Sequence, residues 1–302
     1  MKSKVIELSE IRSALRSAGN PWEADVTGLS SILPIEQKRH LGFTPSAGKT
    51  TIQAADIRWK SKETLKKTEE ATDLVGAPSA YDLRNVAGKN FVTPVKDQKD
   101  CRSSVAFGTV ATVETQMRID LNNPDLEVDL SEAHMFFCHG YEHGATCEKG
   151  WAPDQAFDAF MNKGVTDEFC YPYEIAYSER DCRGLCSNWA ANAVIITGYT
   201  DLTGDITGIK KWLLTKGPVC ACLIVYEDFF SYKSGIYKNV IGNCVGGHCV
   251  TIVGYNDNPG YWVCKNSWGK NWGEEGFFRI AYNQCAIDSW QNYGVDGIAG
   301  IE

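Results

Sequence analysis

Residues 105–117 carry apolar or small side chains on nearly every side of a helical wheel. A helix that is apolar all round is stable only when other elements bury it. The sequence therefore predicts a helix inside a core, with Ser104 at its N-terminus. A chain of 302 residues, 43% of them hydrophobic, is long enough to build such a core.

Three short runs later in the chain are rich in β-branched and aromatic residues and are bounded by Gly, Pro or Asn. They cover residues 217–225, 249–255 and 261–264. This composition and length predict strands. The chain thus passes from a helical half to a sheet half, and the expected fold class is α+β.

The first 77 residues differ from the rest, since no cysteine precedes Cys101. Two short helices are predicted on either side of residues 19–23, and the second begins at Pro34 and ends before Gly42. From Thr44 to about Pro78 the chain is rich in Lys, Thr, Ala and Glu. We expect an exposed linker with one polar helix there, its charged run at 60–70 forming a solvated face.

Charge and cysteine content limit the possible partners and compartments. A formal net charge of -8 gives no basic surface for nucleic acid. Neither a secretory signal nor a stretch apolar enough to cross a bilayer is visible, so no membrane partner is expected. Twelve cysteines instead indicate disulfides in an oxidising compartment, or metal ligation. We expect a secreted or extracytoplasmic protein whose leader was trimmed, with an unusual export route as the alternative.

Three separated motifs could carry chemistry. They are the stretch around Ser104 at residues 98–107, the glycine pair before His248, and the stretch 265–273 that contains Asn266 and Trp268. Each alone has an ordinary explanation, such as a structural histidine or a turn. Together, in this order and with residues 130–132 in the helical half, they resemble the papain-like cysteine peptidases from about Tyr81 to the C-terminus.

The resemblance implies a papain-like two-lobed fold with the active-site cleft between the lobes. A peptidase domain would span residues 78–302, with a mainly helical lobe at about 89–193 and a β-barrel-like lobe at about 194–302 that includes the N-terminal strand. Residues 1–77 would be a prosegment and linker of a compact bacterial type, with the prosegment occupying the cleft. The implied activity is peptide bond hydrolysis by a monomer that acts on a peptide or protein substrate without a cofactor.

Amide hydrolysis through a covalent intermediate needs a nucleophile, a base within hydrogen-bond reach and a group that fixes the base. By resemblance, Ser104 stands at the nucleophile position, His248 is the base and later the acid, and Asn266 orients His248. The Gln98 side chain and the backbone N–H of residue 104 would form the oxyanion hole, worth about 3 to 4 kcal/mol per donor in comparable enzymes. Trp268 and Trp272 would shield the bond between the histidine and the asparagine from water.

Ser104 departs from the family pattern, which has cysteine at this position. A hydroxyl is too weak an acid to give its proton to imidazole in the ground state, so the activating ion pair is lost. Three explanations compete: an introduced Cys→Ser change that traps a precursor, a natural pseudo-peptidase that binds without cutting, and a working serine nucleophile. We favour the first, because the other active-site residues are all present.

Substrate-binding residues follow from the same resemblance, and they would favour an apolar side chain next to the scissile residue. They are Gly150, Trp151, Ala152, Gly247 and Trp290. Arg102 and Val105 stand where the family commonly has glycine and tryptophan. Arg102 either narrows or charges the cleft wall, or it is a surface side chain packed by its stem.

The resemblance also pairs cysteines, although spacing alone cannot give connectivity. The implied disulfides are Cys101 with Cys147, Cys138 with Cys182, and Cys244 with Cys285, with Cys170 and Cys186 as a further bridge. The four remaining cysteines, Cys220, Cys222, Cys249 and Cys264, are expected to behave as small core hydrophobes. A rival interpretation takes Cys138, His139, His143 and Cys147 as a zinc site.

Overall fold

The computed structural model describes residues 5–65 and 76–300. It contains helices and one nine-stranded sheet. The α-helices are α1 (Leu8–Ser17), α2 (Pro34–Gln37), α3 (Ile52–Leu65), α4 (Ser104–Asp120), α5 (Pro153–Asn162), α6 (Tyr173–Glu179) and α7 (Ile206–Thr215). The strands are β1 (Trp22–Ala24), β2 (Ala80–Asp82), β3 (Ile196–Asp201), β4 (Val219–Tyr226), β5 (Tyr232–Tyr237), β6 (Cys244–Asn256), β7 (Tyr261–Lys265), β8 (Phe277–Ala281) and β9 (Gln291–Ile298).

Helix α4 confirms the helix predicted from the apolar run. Every residue from 104 to 116 is buried, and the helix packs against β6 and β9. Gly108 allows a close approach, because a Cβ there would lie 3.4 Å from both the Cys220 sulfur and the Cys249 Cβ. The core around α4 is therefore formed jointly by the helix and the sheet.

The sheet runs in the order β1-β5-β8-β7-β6-β4-β9-β3, with β2 paired to β6. The three predicted strands correspond to β4, β6 and β7, and all eight residues of β4 are buried. Helices α4 to α6 precede the long strands in the chain. This order agrees with the prediction of a helical half followed by a sheet half. The early strand β2 pairs antiparallel with β6, outside the main strand order.

Residues 5–65, which we call the N-terminal part, pack against residues 76–300, which we call the body. Strand β1 lies where only a separator between helices was predicted, and it adds antiparallel to the edge strand β5. The expected polar helix is α3, yet it is not wholly exposed: Trp59 is buried and donates a hydrogen bond to the Asn283 carbonyl at 2.7 Å. The later half of the charged run lies outside the described residues.

Four disulfides join described residues. Three are the expected ones: Cys101–Cys147, Cys138–Cys182 and Cys170–Cys186. The fourth, Cys222–Cys249, corrects the prediction that both are unpaired core residues, and it forms because the two face each other on β4 and β6.

The predicted bond between Cys244 and Cys285 is absent from the structure. Cys244 begins β6 opposite Tyr226 and is a thiol. The Cys285 carbonyl instead accepts a hydrogen bond from Ile224 of β4. Cys220 and Cys264 are buried thiols, as predicted.

Within residues 5–65 and 76–300, no helix combines the length and apolar character needed to cross a membrane.

Candidate active site

Ser104 is the first residue of α4 and is fully buried. Its Oγ accepts a hydrogen bond from the backbone N–H of Cys249 at 3.1 Å. Because Cys249 follows His248 in β6, this bond ties the start of the buried helix to the strand that carries the predicted base. The positive end of the α4 dipole would favour a negative charge at this position.

His248 and Asn266 lie together as predicted. The Nε2 of His248 and the Oδ1 of Asn266 are 2.8 Å apart, so a proton on Nε2 would be donated to the asparagine and Nδ1 would be left bare. Within the described structure, Nδ1 is buried without a hydrogen-bond partner. The ring can therefore act as a base through Nδ1.

Burial lowers the pKa of His248 to about 4, although its bond to Asn266 acts in the opposite direction. The nearby His40 lowers it slightly further. At neutral pH the imidazole is thus uncharged. A neutral imidazole and a serine hydroxyl form no ion pair, in agreement with the argument from the sequence.

Gln98 lies at the predicted oxyanion position. Its side-chain nitrogen donates to the Leu41 carbonyl at 2.8 Å and to the Cys101 carbonyl at 2.9 Å. Its side-chain oxygen accepts from the Ser267 hydroxyl at 2.6 Å, which fixes the amide orientation. The Leu41 carbonyl, which belongs to the N-terminal part, therefore binds the side-chain N–H of Gln98 that the predicted oxyanion hole requires.

The two predicted shielding tryptophans stack next to the histidine. Trp268 has its ring centroid 4.8 Å from that of His248, and Trp272 meets Trp268 edge-on at 4.8 Å. Both are buried. The indole N–H of Trp268 donates to the His40 carbonyl at 2.7 Å, so the shield also holds the N-terminal part.

Residues 41–44, which we call the cleft segment, cross the site between two walls. On one wall, Trp151 N–H donates to the Gly42 carbonyl, and Thr44 N–H donates to the Trp151 carbonyl, both at 2.8 Å. On the other wall, the Gly247 carbonyl accepts from Gly42 at 3.2 Å and from Phe43 at 3.1 Å. The segment runs parallel to the first wall and antiparallel to the second.

Two glycines make the close approach possible. A Cβ on Gly42 would lie 2.6 Å from the Ser104 nitrogen, and a Cβ on Gly150 would lie 2.1 Å from the Gly42 carbonyl oxygen. Gly150 also has a positive φ of 80°, a conformation that other residues adopt at a cost. Any larger side chain at either position would displace the cleft segment.

The predicted substrate-binding residues line the space that the segment fills. The Phe43 ring meets Trp290 edge-on with centroids 4.3 Å apart and is fully buried. Gly247 lies beneath this pair, since a Cβ there would be 2.8 Å from the Phe43 ring. Ala152 is buried directly before α5. An apolar side chain thus occupies the position where the sequence predicted an apolar subsite.

Arg102 and Val105, the two departures from the family pattern, lie on opposite sides of Ser104 in sequence. Val105 is completely buried in the core. The Arg102 side chain instead donates to the Glu148 carbonyl at 3.0 Å, on the wall that pairs with the cleft segment. Arg102 is therefore part of the cleft wall.

The zinc alternative is excluded by the disulfides. Cys138 and Cys147 are bonded to Cys182 and Cys101, so neither offers a thiolate. Among the described residues, no group of three or more His, Cys, Asp and Glu side chains is arranged to hold a metal ion.

Several contacts of the site were not predicted from the sequence. The sequence indicates Gly42 only as the end of a helix and gives Phe43 no role. Tyr173 donates to the Gln98 carbonyl at 2.9 Å and bonds the Ser103 hydroxyl at 2.8 Å, so it supports the loop before Ser104. Ser267 was within reach, because it lies inside the motif that contains Asn266.

Residues 77–295 match the sequence profile of the papain family cysteine proteases. Cathepsin B-like CP3 of Giardia intestinalis is 34% identical over 298 residues, which cover 94% of this chain and 91% of the relative. Cathepsin B-like CP2 of the same organism is 33% identical over 229 residues, covering 72% and 74%. The gut-specific cysteine proteinase of Caenorhabditis elegans is 28% identical over 293 residues, covering 88% of each chain.

Solved structures give the same fold. The digestive procathepsin L2 proteinase from Tenebrio molitor larval midgut has a TM-score of 0.74 at 27% identity, covering 95% of this chain and 88% of that one. ProCathepsin B S9 from Trypanosoma congolense also has a TM-score of 0.74, at 24% identity, covering 96% and 98%. These relatives are eukaryotic, so the predicted bacterial type finds no support. The chain belongs to the papain family of cysteine proteases.

Proposed function

We propose that the chain is the precursor form of a papain-like endopeptidase in which residues 1–77 are the prosegment and linker and residues 78–302 the peptidase domain. The cleft segment carries this proposal. It pairs with both walls, places Phe43 against Trp290 and brings the Leu41 carbonyl to Gln98. A substrate needs the same wall groups, so the segment and a substrate cannot be bound together.

In this proposal the catalytic machinery is complete except for the nucleophile atom. His248 would take the proton of a thiol at position 104, and Asn266 would hold the ring through Nε2. Gln98 and the N–H of residue 104 would receive the developing oxyanion once Leu41 has left. With Ser104, the same geometry holds a hydroxyl that a neutral imidazole does not ionise.

The test is the variant Ser104→Cys, incubated between about pH 5 and 7, where a thiol and imidazole pair can work. We expect it to cut peptides and its own linker at least about 10³-fold faster than the Ser104 protein, as expected for restoring a nucleophile. Peptide turnover and the mass of the released N-terminal fragment are the readouts. The matched control is Ser104→Cys with His248→Ala, which keeps the thiol and removes the base. A Ser104→Cys protein that stays inert toward a peptide library would contradict the proposal.

A second candidate is a pseudo-peptidase that holds a peptide or protein in the cleft without cutting it. The observation in its favour is the neutral, buried His248 beside a hydroxyl, which leaves a binding cleft without an activated nucleophile. It predicts that natural homologues carry serine at position 104, whereas an introduced change predicts cysteine there. It also predicts that Ser104→Cys binds peptides without cleaving them.

We further propose that the protein acts as a monomer outside the reducing cytosol. The described disulfides support such a location, since they persist mainly in oxidising compartments. Labelling of cysteines before and after reduction, in protein taken directly from its source, tests this. Complete labelling without reduction would contradict it.

A further inference from the structure

The Arg102 backbone lies against the cleft segment. A Cβ on Gly42 would be 2.6 Å from the Arg102 carbonyl oxygen and equally close to the Ser104 nitrogen. Leu41, the preceding residue, supplies the carbonyl at Gln98, so Gly42 is one residue away from the oxyanion site. In a substrate, the residue whose carbonyl enters that site is the one on the N-terminal side of the cleaved bond, and it would pass the same stretch of Arg102 backbone.

The guanidinium group is held in the cleft wall. The Arg102 Nη1 donates to the Glu148 carbonyl at 3.0 Å, and the Arg102 backbone N–H donates to the Cys147 carbonyl at 3.2 Å. The disulfide between Cys101 and Cys147 ties the same two loops together. One nitrogen of the guanidinium is thus held against the wall that pairs with the cleft segment.

This charge lacks an acidic counterpart. Within the described part of the chain, no carboxylate lies within 4 Å of the Arg102 side chain, whereas Arg84 and Arg279 each pair with one. The Arg102 Nε is buried without a hydrogen-bond partner. The carboxylate of Glu148 points to Arg180 instead, at 3.4 Å. A partly buried cation without a partner is costly and gains strongly from an incoming anion.

Space for such an anion exists beside the cleft segment. In the closed form, a cavity of about 820 Å³ is lined on the body side by Arg102, Cys244, Val245 and Gly246, and otherwise by residues of the N-terminal part that include Lys49 and Asp56. Lys49 and Asp56 belong to the N-terminal part, which the proposed function removes. Among the described residues of the enzyme body that line this cavity, Arg102 is then the charged one that remains.

We propose that Arg102 is a specificity-determining residue that selects substrates with aspartate or glutamate on the N-terminal side of the cleaved bond. The inference rests on the proposed peptidase function and specifies its substrate class. The carboxylate of the substrate residue accepts hydrogen bonds from the Arg102 guanidinium, including the unpartnered Nε. The apolar subsite at Trp290 reads the preceding residue of the substrate, which runs opposite in direction to the cleft segment, where Phe43 follows Gly42.

The experiment compares peptides that carry Phe followed by Asp, Glu, Asn, Gln or Arg before the cleaved bond. Activated Ser104→Cys enzyme is expected to show a kcat/KM about 10- to 100-fold higher for Asp or Glu than for Asn or Gln, the range for a hydrogen bond to a charged group. The preference should weaken as salt is raised. In the same background, Arg102→Gln should remove the preference, Arg102→Lys should retain part of it, and Arg102→Glu should reverse it toward Arg.

Arg183→Gln is the matched control. This arginine is highly exposed and forms an ion pair with Asp181. The variant should keep the acidic preference in full. Thermal unfolding of each variant identifies any that fail to fold, and Arg102→Lys then carries the comparison. An active enzyme that treats Asp and Asn alike, or whose preference survives Arg102→Gln, overturns this inference alone. An enzyme that cleaves no peptide overturns the proposed function and this inference with it.

Discussion

A single atom at position 104 decides the charge state of the whole site. The hydroxyl of Ser104 is buried and neutral, and burial holds the pKa of His248 at about 4. A thiolate at the same place would favour the protonated ring, because an opposite charge within a few ångströms stabilises imidazolium. The two states of the site therefore differ in charge, with little difference in shape.

This difference predicts the titration of His248. In the Ser104 protein the ring should remain neutral down to about pH 4, the value set by its burial. In Ser104→Cys we expect it to stay protonated well above that pH. Proton NMR of the ring C–H resonances between pH 3.5 and 8 measures both, with His248→Gln used for assignment. An ordinary titration near the free histidine value in the Ser104 protein would show that the ring is not desolvated.

Gly42 gives a second prediction at this scale. Replacing it with Val would place a Cβ 2.6 Å from the Ser104 nitrogen and the Arg102 carbonyl, both backbone atoms that cannot give way easily. Overpacking of this kind costs about 1 to 3 kcal/mol, so the cleft segment should detach more readily. Limited proteolysis at residues 41–44 measures the change. Gly28→Ala is the control, since a Cβ there meets nothing within 4 Å. Equal protection of the two variants would show that the segment is not tightly held.

At the scale of elements, the cleft segment behaves as a short strand shared between two walls. Its backbone bonds to Trp151 and Gly247 fix its position, and the Phe43 side chain provides its apolar anchor. Residues on either side of the cleft segment are bound as well. The indole N–H of Trp268 donates to the His40 carbonyl, and the indole N–H of Trp290 donates to the Thr50 carbonyl at 3.1 Å. The binding of the segment therefore combines backbone pairing with one buried aromatic side chain.

The anchor leads to a prediction for Phe43→Ala. Removing a fully buried aromatic ring typically costs about 3 to 5 kcal/mol, and here that loss falls on the closed form of the cleft. Hydrogen exchange of the backbone N–H groups of Gly42 and Thr44 should become at least about 100-fold faster. Leu33→Ala is the control, because Leu33 is 59% exposed in the same N-terminal part. Unchanged exchange in Phe43→Ala would mean that the backbone pairing alone holds the segment.

Elements with a strong internal pattern could be predicted from the sequence, and those that depend on a distant partner could not. Helix α4 and strand β4 are continuous apolar runs, and their lengths and boundaries reveal them without any distant partner. Strand β1 has three residues and exists because β5 lies beside it. Trp59 gave no sign of burial, since its partners Tyr226 and Asn283 lie far along the chain.

At the scale of the whole molecule, the same distinction explains the site. The positions of Ser104, His248 and Asn266 could be predicted because their motifs are local and ordered. The contact of Gly42 with Gly247 joins residues 205 positions apart, so no local pattern in the sequence indicates it. The failed pairing of Cys244 with Cys285 has the same cause, because connectivity follows from the register of β4 and its neighbours, which spacing does not reveal.

The closure of the N-terminal part over the body should depend on pH. Burial lowers the pKa of both His40 and His248, to about 4 for the latter, although Asp97 and Asp100 partly oppose the shift at His40. If release of the N-terminal part returns both rings to water, their pKa values rise toward about 6.5, so the open form binds more protons. The closed form is then fully favoured above about pH 6.5 and loses stability as the pH falls toward 4.

Each desolvated histidine can contribute up to about 1.4 kcal/mol per pH unit in that window. We therefore expect proteolytic cleavage within residues 41–44 of the Ser104 protein, which cannot process itself, to accelerate steeply between pH 6.5 and 4.5. The activity of the added protease itself changes with pH. Its rate on an unstructured reference peptide is therefore measured at each pH and used to correct the cleavage rate of the protein. His40→Gln removes one of the two titrating rings and should reduce the slope by roughly half. A cleavage rate that is flat across this range, or a slope that His40→Gln leaves unaltered, would show that the histidines do not govern closure.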